Sequence, residues 1–178
     1  SKFVIAGDST LRQDLAAFSG AGLIGFRRYP TLPATTVDAA FKASGVISVV
    51  SAGAVGNGVA DDTAAIALAE AAAFVSGAQL LFPAGYTFTS TASIELRVPL
   101  LGAGATLVAT NPAERTDRIL GALLRMTSPL ASISGLKLVC NHKTAGISAK
   151  NTLAAVVREV QIIDPILGGL TFENVSMA

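Results

Sequence analysis

Two adjacent carboxylates, Asp61 and Asp62, are the first residues in this chain whose type and spacing suggest chemistry. A pair of carboxyl groups can serve as general acid and base on a glycosidic bond. Side chains of neighbouring residues at the start of a helix point in different directions, however, and an alanine-rich apolar run follows them. We therefore predict that Asp61 and Asp62 form a structural helix cap, where carboxylates accept backbone N–H groups and lie favourably in the helix dipole.

The glycines that precede this pair, Gly53, Gly56 and Gly58, could in principle cradle a phosphate. They fit neither the dinucleotide fingerprint nor the P-loop, which also requires a Lys-Ser/Thr pair. We interpret them as a turn.

The single histidine and the single cysteine are poor candidates for a reactive site. With one of each, the chain has no metal-ligand cluster of the usual kind and no internal disulfide. Cys140 shares strand parity with Leu136 and Leu138, which predicts an inward, inert thiol. His142 follows Asn141, and we expect it in a turn or on the surface. We predict no metal and no cofactor.

The composition excludes several functional classes. Hydrophobic residues make up 51% of the 178 residues and charged residues 14%, which is ample for a core and unlike a disordered chain. A formal net charge of +1 argues against nucleic acid or anionic lipid as the main partner. No apolar stretch is long enough to span a bilayer.

The residues after the aspartates predict a helix followed by a strand. A helix over 62–75 would place on one face the apolar residues Ile66, Ala69, Ala73 and Phe74. Ser76-Gly77 ends it, since glycine readily takes the left-handed conformation. A short strand over 79–82 is then cut off by Pro83.

The second half of the chain repeats with a period of about 23 residues. At this shift several positions of similar character coincide: Asn141 with Asp164, Gly146 with Gly169, Ile147 with Leu170, Lys150 with Glu173, Asn151 with Asn174 and Val139 with Ile162. Leu124 extends the Ile147 series backwards, and we place Leu101 before it. Strands are predicted over 136–140, 156–163 and 170–175, and a loop over 111–118.

A repeat of this length with short strands is typical of a parallel β-solenoid. In such a fold, asparagines that recur at one turn can form a ladder of amides. The end coil exposes backbone edges and an open apolar core. The predicted helix over 62–75 is the expected cover. The pattern also runs to Ala178 without closing, so we expect this chain to be part of a longer protein.

The acidic residues on the repeating coils, Glu159, Asp164 and Glu173, are the remaining candidates for polysaccharide chemistry. Distances across coils cannot be read from sequence, and Glu173 has Lys150 as a predicted neighbour. We assign no catalytic residue, so the catalytic residues remain unknown and the chain's status as an enzyme stays open.

The first 44 residues form a separate segment. Two short amphipathic helices are predicted, one over 10–18 and one that begins at Thr35 or Thr36. Between them, Arg27-Arg28 is interpreted as a solvated or inter-subunit pair. Because such short helices cannot bury their apolar faces alone, they require the next domain, another copy or a partner.

The stretch AGAVGNGVADDTAAI, followed by LLFPAGYTF, resembles the opening of the pectate-lyase-like, right-handed parallel β-helix domains. Asn57 stands where that family often has Asp, and Ala60 where it often has Thr. The upstream LRQDLAAFSGAGLIGF and TTVDAAFKAS resemble the segment that precedes this domain in many bacteriophage tailspikes and tail-fibre depolymerases.

This resemblance implies a mainly β protein with three parts: a virion-anchoring segment over 1–44, the β-helix entry and capping helix over 45–90, and the first coils over 91–178. It implies a homotrimer in the phage tail, outside the host cell, that docks on a tail protein through residues 1–44. The downstream β-helix would bind, and in many members cleave, capsular polysaccharide or lipopolysaccharide. The alternatives are a secreted bacterial polysaccharide lyase or hydrolase, against which the absence of a signal-peptide pattern counts, and a non-enzymatic tail adaptor or stalk.

Overall fold

A computed structural model describes residues 25–26, 35–36, 45–111, 113–129, 131–150, 152 and 155–173. The chain divides into two compact units, Ser1–Gly45 and Val46–Ala178. In the first unit, strand β1 (Gly25–Phe26) pairs antiparallel with strand β2 (Thr35–Thr36). The second helix was predicted to begin at Thr35 or Thr36, and both residues instead lie in a strand. The rest of both predicted helices, and Arg27-Arg28, lie outside the described residues.

The second unit is built from short parallel strands and one helix within its described residues. Its strands are β3 (Val46–Ser48), β4 (Asn57–Asp61), β5 (Gln79–Leu81), β6 (Thr87–Ser90), β7 (Ile94–Leu96), β8 (Pro99–Leu101), β9 (Thr106–Ala109), β10 (Ala122–Met126), β11 (Ser132–Ser134), β12 (Lys137–Val139), β13 (Ala145–Lys150), β14 (Val156–Arg158), β15 (Gln161–Ile163) and β16 (Leu170–Glu173). Helix α1 spans Thr63–Ser76, and a 3₁₀ turn spans Val50–Ala52.

These strands form three parallel sheets through which the chain passes in turn. The first sheet has the order β14-β11-β8-β5-β3, the second β15-β12-β9-β6-β4 and the third β16-β13-β10-β7. Each coil after the first adds one strand to each sheet, and this arrangement is a parallel β-helix. The predicted parallel β-helix is confirmed, whereas the predicted helical neck over 1–44 lies almost entirely outside the described residues.

The strand register confirms the 23-residue repeat in the third sheet and corrects two of the predicted members. Ile147 pairs with Leu124 on one side and with Leu170 on the other. Leu124, however, pairs with Ile94 rather than with Leu101, a spacing of 30 residues (94 to 124). This coil is longer because it contains the predicted loop between β9 and β10. In the second sheet Val139 pairs with Ile163, one position beyond the residue that the sequence suggested.

The core lies between the three sheets and is filled by side chains stacked from coil to coil. Three such stacks of buried side chains are Leu80, Leu100 and Ile133 in the first sheet, Phe88, Leu107 and Leu138 in the second, and Ile94, Leu124 and Ile147 in the third. Burial of apolar area stabilises the fold by about 25 cal/mol per Å². The predicted strand over 156–163 is in fact two strands, since Glu159 takes the left-handed conformation (φ 52°) at a corner between sheets.

Helix α1 takes the place of a third strand in the first coil. It packs against β3, β5, β7 and the 3₁₀ turn, and its buried face consists of Ile66, Ala69, Glu70 and Ala73. Gly77 ends it with φ 68°, as predicted. Phe74 was assigned to the buried face but is 47% exposed, because its ring lies at the margin, 4.3 Å from the Arg97 guanidinium carbon.

Two side chains of α1 accept backbone N–H groups on either side of β7, the strand that the helix covers. The Thr63 hydroxyl accepts the N–H of Thr91, which precedes β7, at 2.9 Å. Glu70 accepts the N–H of Arg97, which follows β7, also at 2.9 Å, and binds its guanidinium group in a salt bridge. The helix therefore closes the edge of the third sheet with hydrogen bonds as well as with apolar contact, which confirms the predicted cover.

We predict that Glu70→Ala lowers the free energy of unfolding by about 2–3 kcal/mol, because it leaves a backbone N–H and a guanidinium group without their acceptor. Urea denaturation measures the change. Glu95→Ala is the matched control, since Glu95 pairs with Arg125 at 3.3 Å but its side chain is 57% exposed; we expect it to cost no more than about 0.5 kcal/mol. Equal effects of the two substitutions would contradict this role of Glu70.

Candidate functional site

Asp62 is buried and holds together the chain segments at the entry to the β-helix. Its carboxylate accepts the N–H of Val55 at 2.6 Å, that of Gly56 at 3.3 Å and that of Thr89 at 3.2 Å. The residue is only 2% exposed. It occupies the N-cap position of α1, but its side chain bonds to no helix N–H. The carboxylate therefore joins the glycine-rich turn to β6.

Asp61 is exposed and alone makes the side-chain bond to a helix N–H that was predicted for both aspartates. It accepts the N–H of Thr63, the first residue of α1, at 3.0 Å, and the hydroxyl groups of Thr63 and Thr91. These bonds, the Thr63 hydroxyl first among them, lower the pKa of Asp61 below its ordinary value. The two carboxylates therefore bind different partners, which agrees with structural roles for both.

The glycine-rich turn is shaped by close packing. A Cβ at Gly56 would lie 2.6 Å from Tyr86 Cδ1 and 2.8 Å from Phe88 Cε1, and the residue has φ 63°. Tyr86 in turn stacks on Phe88 with 5.7 Å between ring centroids. The glycine is required by this aromatic contact, in agreement with the interpretation of the segment as a structural turn.

Cys140 and His142 take the structural positions that the sequence predicted. Cys140 is fully buried, and burial raises the pKa of its thiol, which keeps it protonated and unreactive. His142 lies in an exposed turn with φ 53°, and its Nδ1 is 3.6 Å from Asp164 Oδ1. Asn141 donates from Nδ2 to the carbonyl of Ala109 in the preceding coil at 3.0 Å. Asn151 and Asn174, the other pair of the predicted amide ladder, lie outside the described residues.

The remaining acidic residues are dispersed over the surface. Glu159 and Asp164 occupy exposed left-handed corners, each with φ 52°. Glu173 pairs with Lys150 at 2.9 Å, as predicted. Within the described ranges, no group of three or more His, Cys, Asp and Glu side chains could hold a metal ion.

A shallow groove of about 240 Å³ lies between α1 and β7 and is lined in part by Glu70, Ser93, Glu95 and Arg97. Both of its carboxylates already have cationic partners, Arg97 for Glu70 and Arg125 for Glu95. Small-molecule sites usually enclose about 300–1,000 Å³. This groove therefore offers little space for a small ligand.

The outer face of the second sheet is a more extended surface for a ligand. Four polar residues stand in register on successive coils, and we call them the polar row: Thr87, Thr106, Lys137 and Gln161. Neighbouring parallel strands lie about 4.8 Å apart, so the row presents hydroxyl, ammonium and amide groups at that interval along the axis. Sequence reasoning missed this row because it depends on the register between coils.

On the third sheet, the polar residues Glu95, Arg125 and Ser148 also stand in register, but they already have partners. The hydroxyl of Ser148 donates to the carbonyl of Ile119 in the loop between β9 and β10, at 2.9 Å. Arg125 and Glu95 in the same row are paired with each other. The polar row on the second sheet is therefore the better candidate for a binding surface.

We predict that Asp62→Asn lowers the free energy of unfolding by about 2 kcal/mol, because one carboxylate oxygen becomes an amide donor that faces backbone donors. Thermal and urea unfolding measure it. Asp61→Asn, which keeps one oxygen for the Thr63 N–H, should cost about 1 kcal/mol or less. An unchanged unfolding midpoint for Asp62→Asn would show that its three hydrogen bonds contribute nothing.

Comparison with known proteins shows a similarity of fold. No family model and no curated protein matches the chain. A mutant tailspike protein of E. coli bacteriophage HK620 aligns over 94% of this chain and 40% of its own, with 13% identity and a TM-score of 0.58. The HK620 tailspike in complex with pentasaccharide gives 13% identity and a TM-score of 0.57, over 94% and 39% of the two chains.

A surface adhesin of Streptococcus pneumoniae, PfbA, aligns over 74% of this chain and 41% of its own, with 17% identity and a TM-score of 0.48, too low to support a conclusion. The chain spans about two fifths of the length of the tailspike structures that it matches. At this level of identity the similarity concerns the fold. The chain thus has the parallel β-helix fold of the HK620 tailspike.

Proposed function

We propose that this chain is the N-terminal part of a virion-attached phage tailspike, in which residues 1–44 attach a homotrimer to the tail and the β-helix binds polysaccharide of the host surface. The observation that carries the proposal is the fold match over 94% of the chain to a tailspike whose structure contains a pentasaccharide. The upstream sequence resemblance to phage tailspikes supports the same assignment. No described helix is long and apolar enough to cross a membrane.

The polar row supports polysaccharide binding along the β-helix. Lys137 and Gln161 are exposed on adjacent strands, and Thr87 and Thr106 continue the row on the coils before them. A glycan that lies along the axis meets a donor or acceptor at each coil. Hydrogen bonds of this kind fix orientation and contribute modestly to affinity.

The outward face of α1 supports self-association. Leu68 is 61% exposed and Val75 is 87% exposed, while Glu70, the one charged residue of the helix, faces inward. Terminal repeats of solenoid proteins normally present a polar outer face. An apolar outer face on the cap is instead suited to contact with another subunit.

Cleavage of the polysaccharide requires groups that the described residues do not bring together. Asp61 and Asp62 accept backbone N–H and hydroxyl groups, and Glu70, Glu95 and Glu173 pair with cationic side chains. Glu159 and Asp164 lie at separate corners. We therefore place any catalytic carboxylates outside the described residues. A tail adaptor with a rigid β-helical stalk is the alternative if binding fails.

We expect the full-length protein to bind oligosaccharides prepared from host capsule or O-antigen, measured by calorimetry. Substitution of Lys137 and Gln161 together by alanine should weaken binding about three- to tenfold, the effect of losing one or two net hydrogen bonds. Lys150→Ala is the control, since Lys150 lies on the third sheet and pairs with Glu173. Absence of binding by the unmodified protein would favour the alternative function, a tail adaptor with a β-helical stalk. Equal affinities of all variants would remove the polar row from the binding surface.

We expect Leu68→Lys combined with Val75→Lys to dissociate the oligomer, because each places a charge in an apolar contact. Light scattering coupled to size-exclusion chromatography measures the mass. Leu120→Lys is a matched control, because Leu120 is 60% exposed but lies on the loop between β9 and β10. A stable monomer for the unmodified full-length protein would contradict the trimer. A trimer retained by the double variant would exclude α1 from the contact.

A further inference from the structure

Lys137 is the single charged residue in the strands β6, β9, β12 and β15 of the second sheet. Its side chain is exposed on the outer face, because the next residue, Leu138, is fully buried in the core. Its neighbours in register on the coils before and after are the uncharged Thr106 and Gln161. Among the described residues, no carboxylate lies within salt-bridge distance of its ammonium group.

The third sheet treats its cations differently. Arg125 stands in register with Glu95 of the preceding coil and pairs with it at 3.3 Å. Lys150 stands in register with Glu173 of the following coil and pairs with it at 2.9 Å. A glutamate at a neighbouring position of the polar row would neutralise Lys137 in the same way, but those positions carry a hydroxyl and an amide. The second sheet therefore presents a positive charge that the fold itself does not compensate.

A row of apolar side chains runs beside the polar row on the same outer face. Val108, Val139 and Ile163 stand in register with one another, two positions beyond the polar row on β9, β12 and β15, and each is half-buried. Two residues advance about 6.6 Å along a strand, so the face has a polar and an apolar side at that separation. A sugar ring is divided in the same way, with C–H groups on its faces and polar groups at its rim.

We propose that Lys137 selects a polysaccharide with acidic sugars, by donating a charge-assisted hydrogen bond from Nζ to the carboxylate of a uronate residue. This inference rests on the proposed function, because it names the class of glycan for the same face of the β-helix. The coils repeat about every 4.8 Å, an interval comparable to the advance of one sugar residue in an extended glycan. A uronate at Lys137 thus places the sugars on either side of it against Thr106 and Gln161.

The size of the effect follows from the exposure of the pair. An ion pair at a solvent-exposed site contributes at most about a fivefold factor to affinity. The hydroxyl groups of a neutral sugar can also accept from Lys137, but they leave its charge uncompensated. A single exposed lysine on a sheet also has a simpler role, since charge on a strand discourages aggregation. The two roles differ in whether a carboxylate on the glycan changes its affinity.

The test compares oligosaccharides that contain glucuronate or galacturonate with the same molecules after reduction of their carboxyl groups to primary alcohols. We expect the full-length protein, titrated by calorimetry, to bind an acidic form about fivefold more tightly than its reduced form at low salt. This preference should shrink as the salt concentration rises, because an exposed pair is screened. Lys137→Gln should abolish the preference, and Lys137→Arg should retain it. Lys150→Gln is the matched control and should also retain it, since Lys150 already pairs with Glu173.

The outcomes separate this inference from the function on which it rests. Binding of neither the acidic nor the reduced oligosaccharides would contradict the proposed function together with this inference. Equal binding of the two forms by the unmodified protein would overturn this inference and leave polysaccharide binding intact. A preference for the acidic form that survives Lys137→Gln would show that another residue recognises the carboxylate.

Discussion

The open edge of the first coils is the constraint on which the rest of this structure depends. A parallel β-helix supplies partners for each strand from the coils on either side, so its first strands lack partners on one side. Here α1 covers that edge with alanine and isoleucine side chains, while Thr63 and Glu70 accept two N–H groups that flank β7. Asp62 then ties the turn before the helix to β6. Every later coil repeats the same sheets on this base.

The sequence predicts much of this arrangement because its signals are local. The helix end at Gly77, the strand cut off by Pro83 and the inward Cys140 follow from backbone preference and strand parity. The 23-residue repeat is visible because three successive positions, Leu124, Ile147 and Leu170, fill the same place in the third sheet.

The features that the sequence did not predict depend on contacts between coils. Leu101 was placed before Leu124 because a constant period was assumed, whereas the loop lengthens that coil and brings Ile94 to the position. Glu70 gave no signal of its role, since its partner Arg97 is distant along the chain. Asp61 caps α1 while Asp62 binds the glycine-rich turn, and this difference likewise depends on where the chain folds back. The polar row was not predicted for the same reason, because its members are brought together only by the register between coils.

The long coil also shows how this scaffold tolerates change. Residues 110–121 enter and leave between β9 and β10 while the pairs on either side, Leu107 with Leu138 and Leu124 with Ile147, keep their register. The corner between the second and third sheets is thus a point at which chain length and stacking are decoupled. A segment inserted there would be displayed beside the stacked coils, and it would disturb the fold only through the bonds that this loop makes, such as that from the Ser148 hydroxyl to the Ile119 carbonyl.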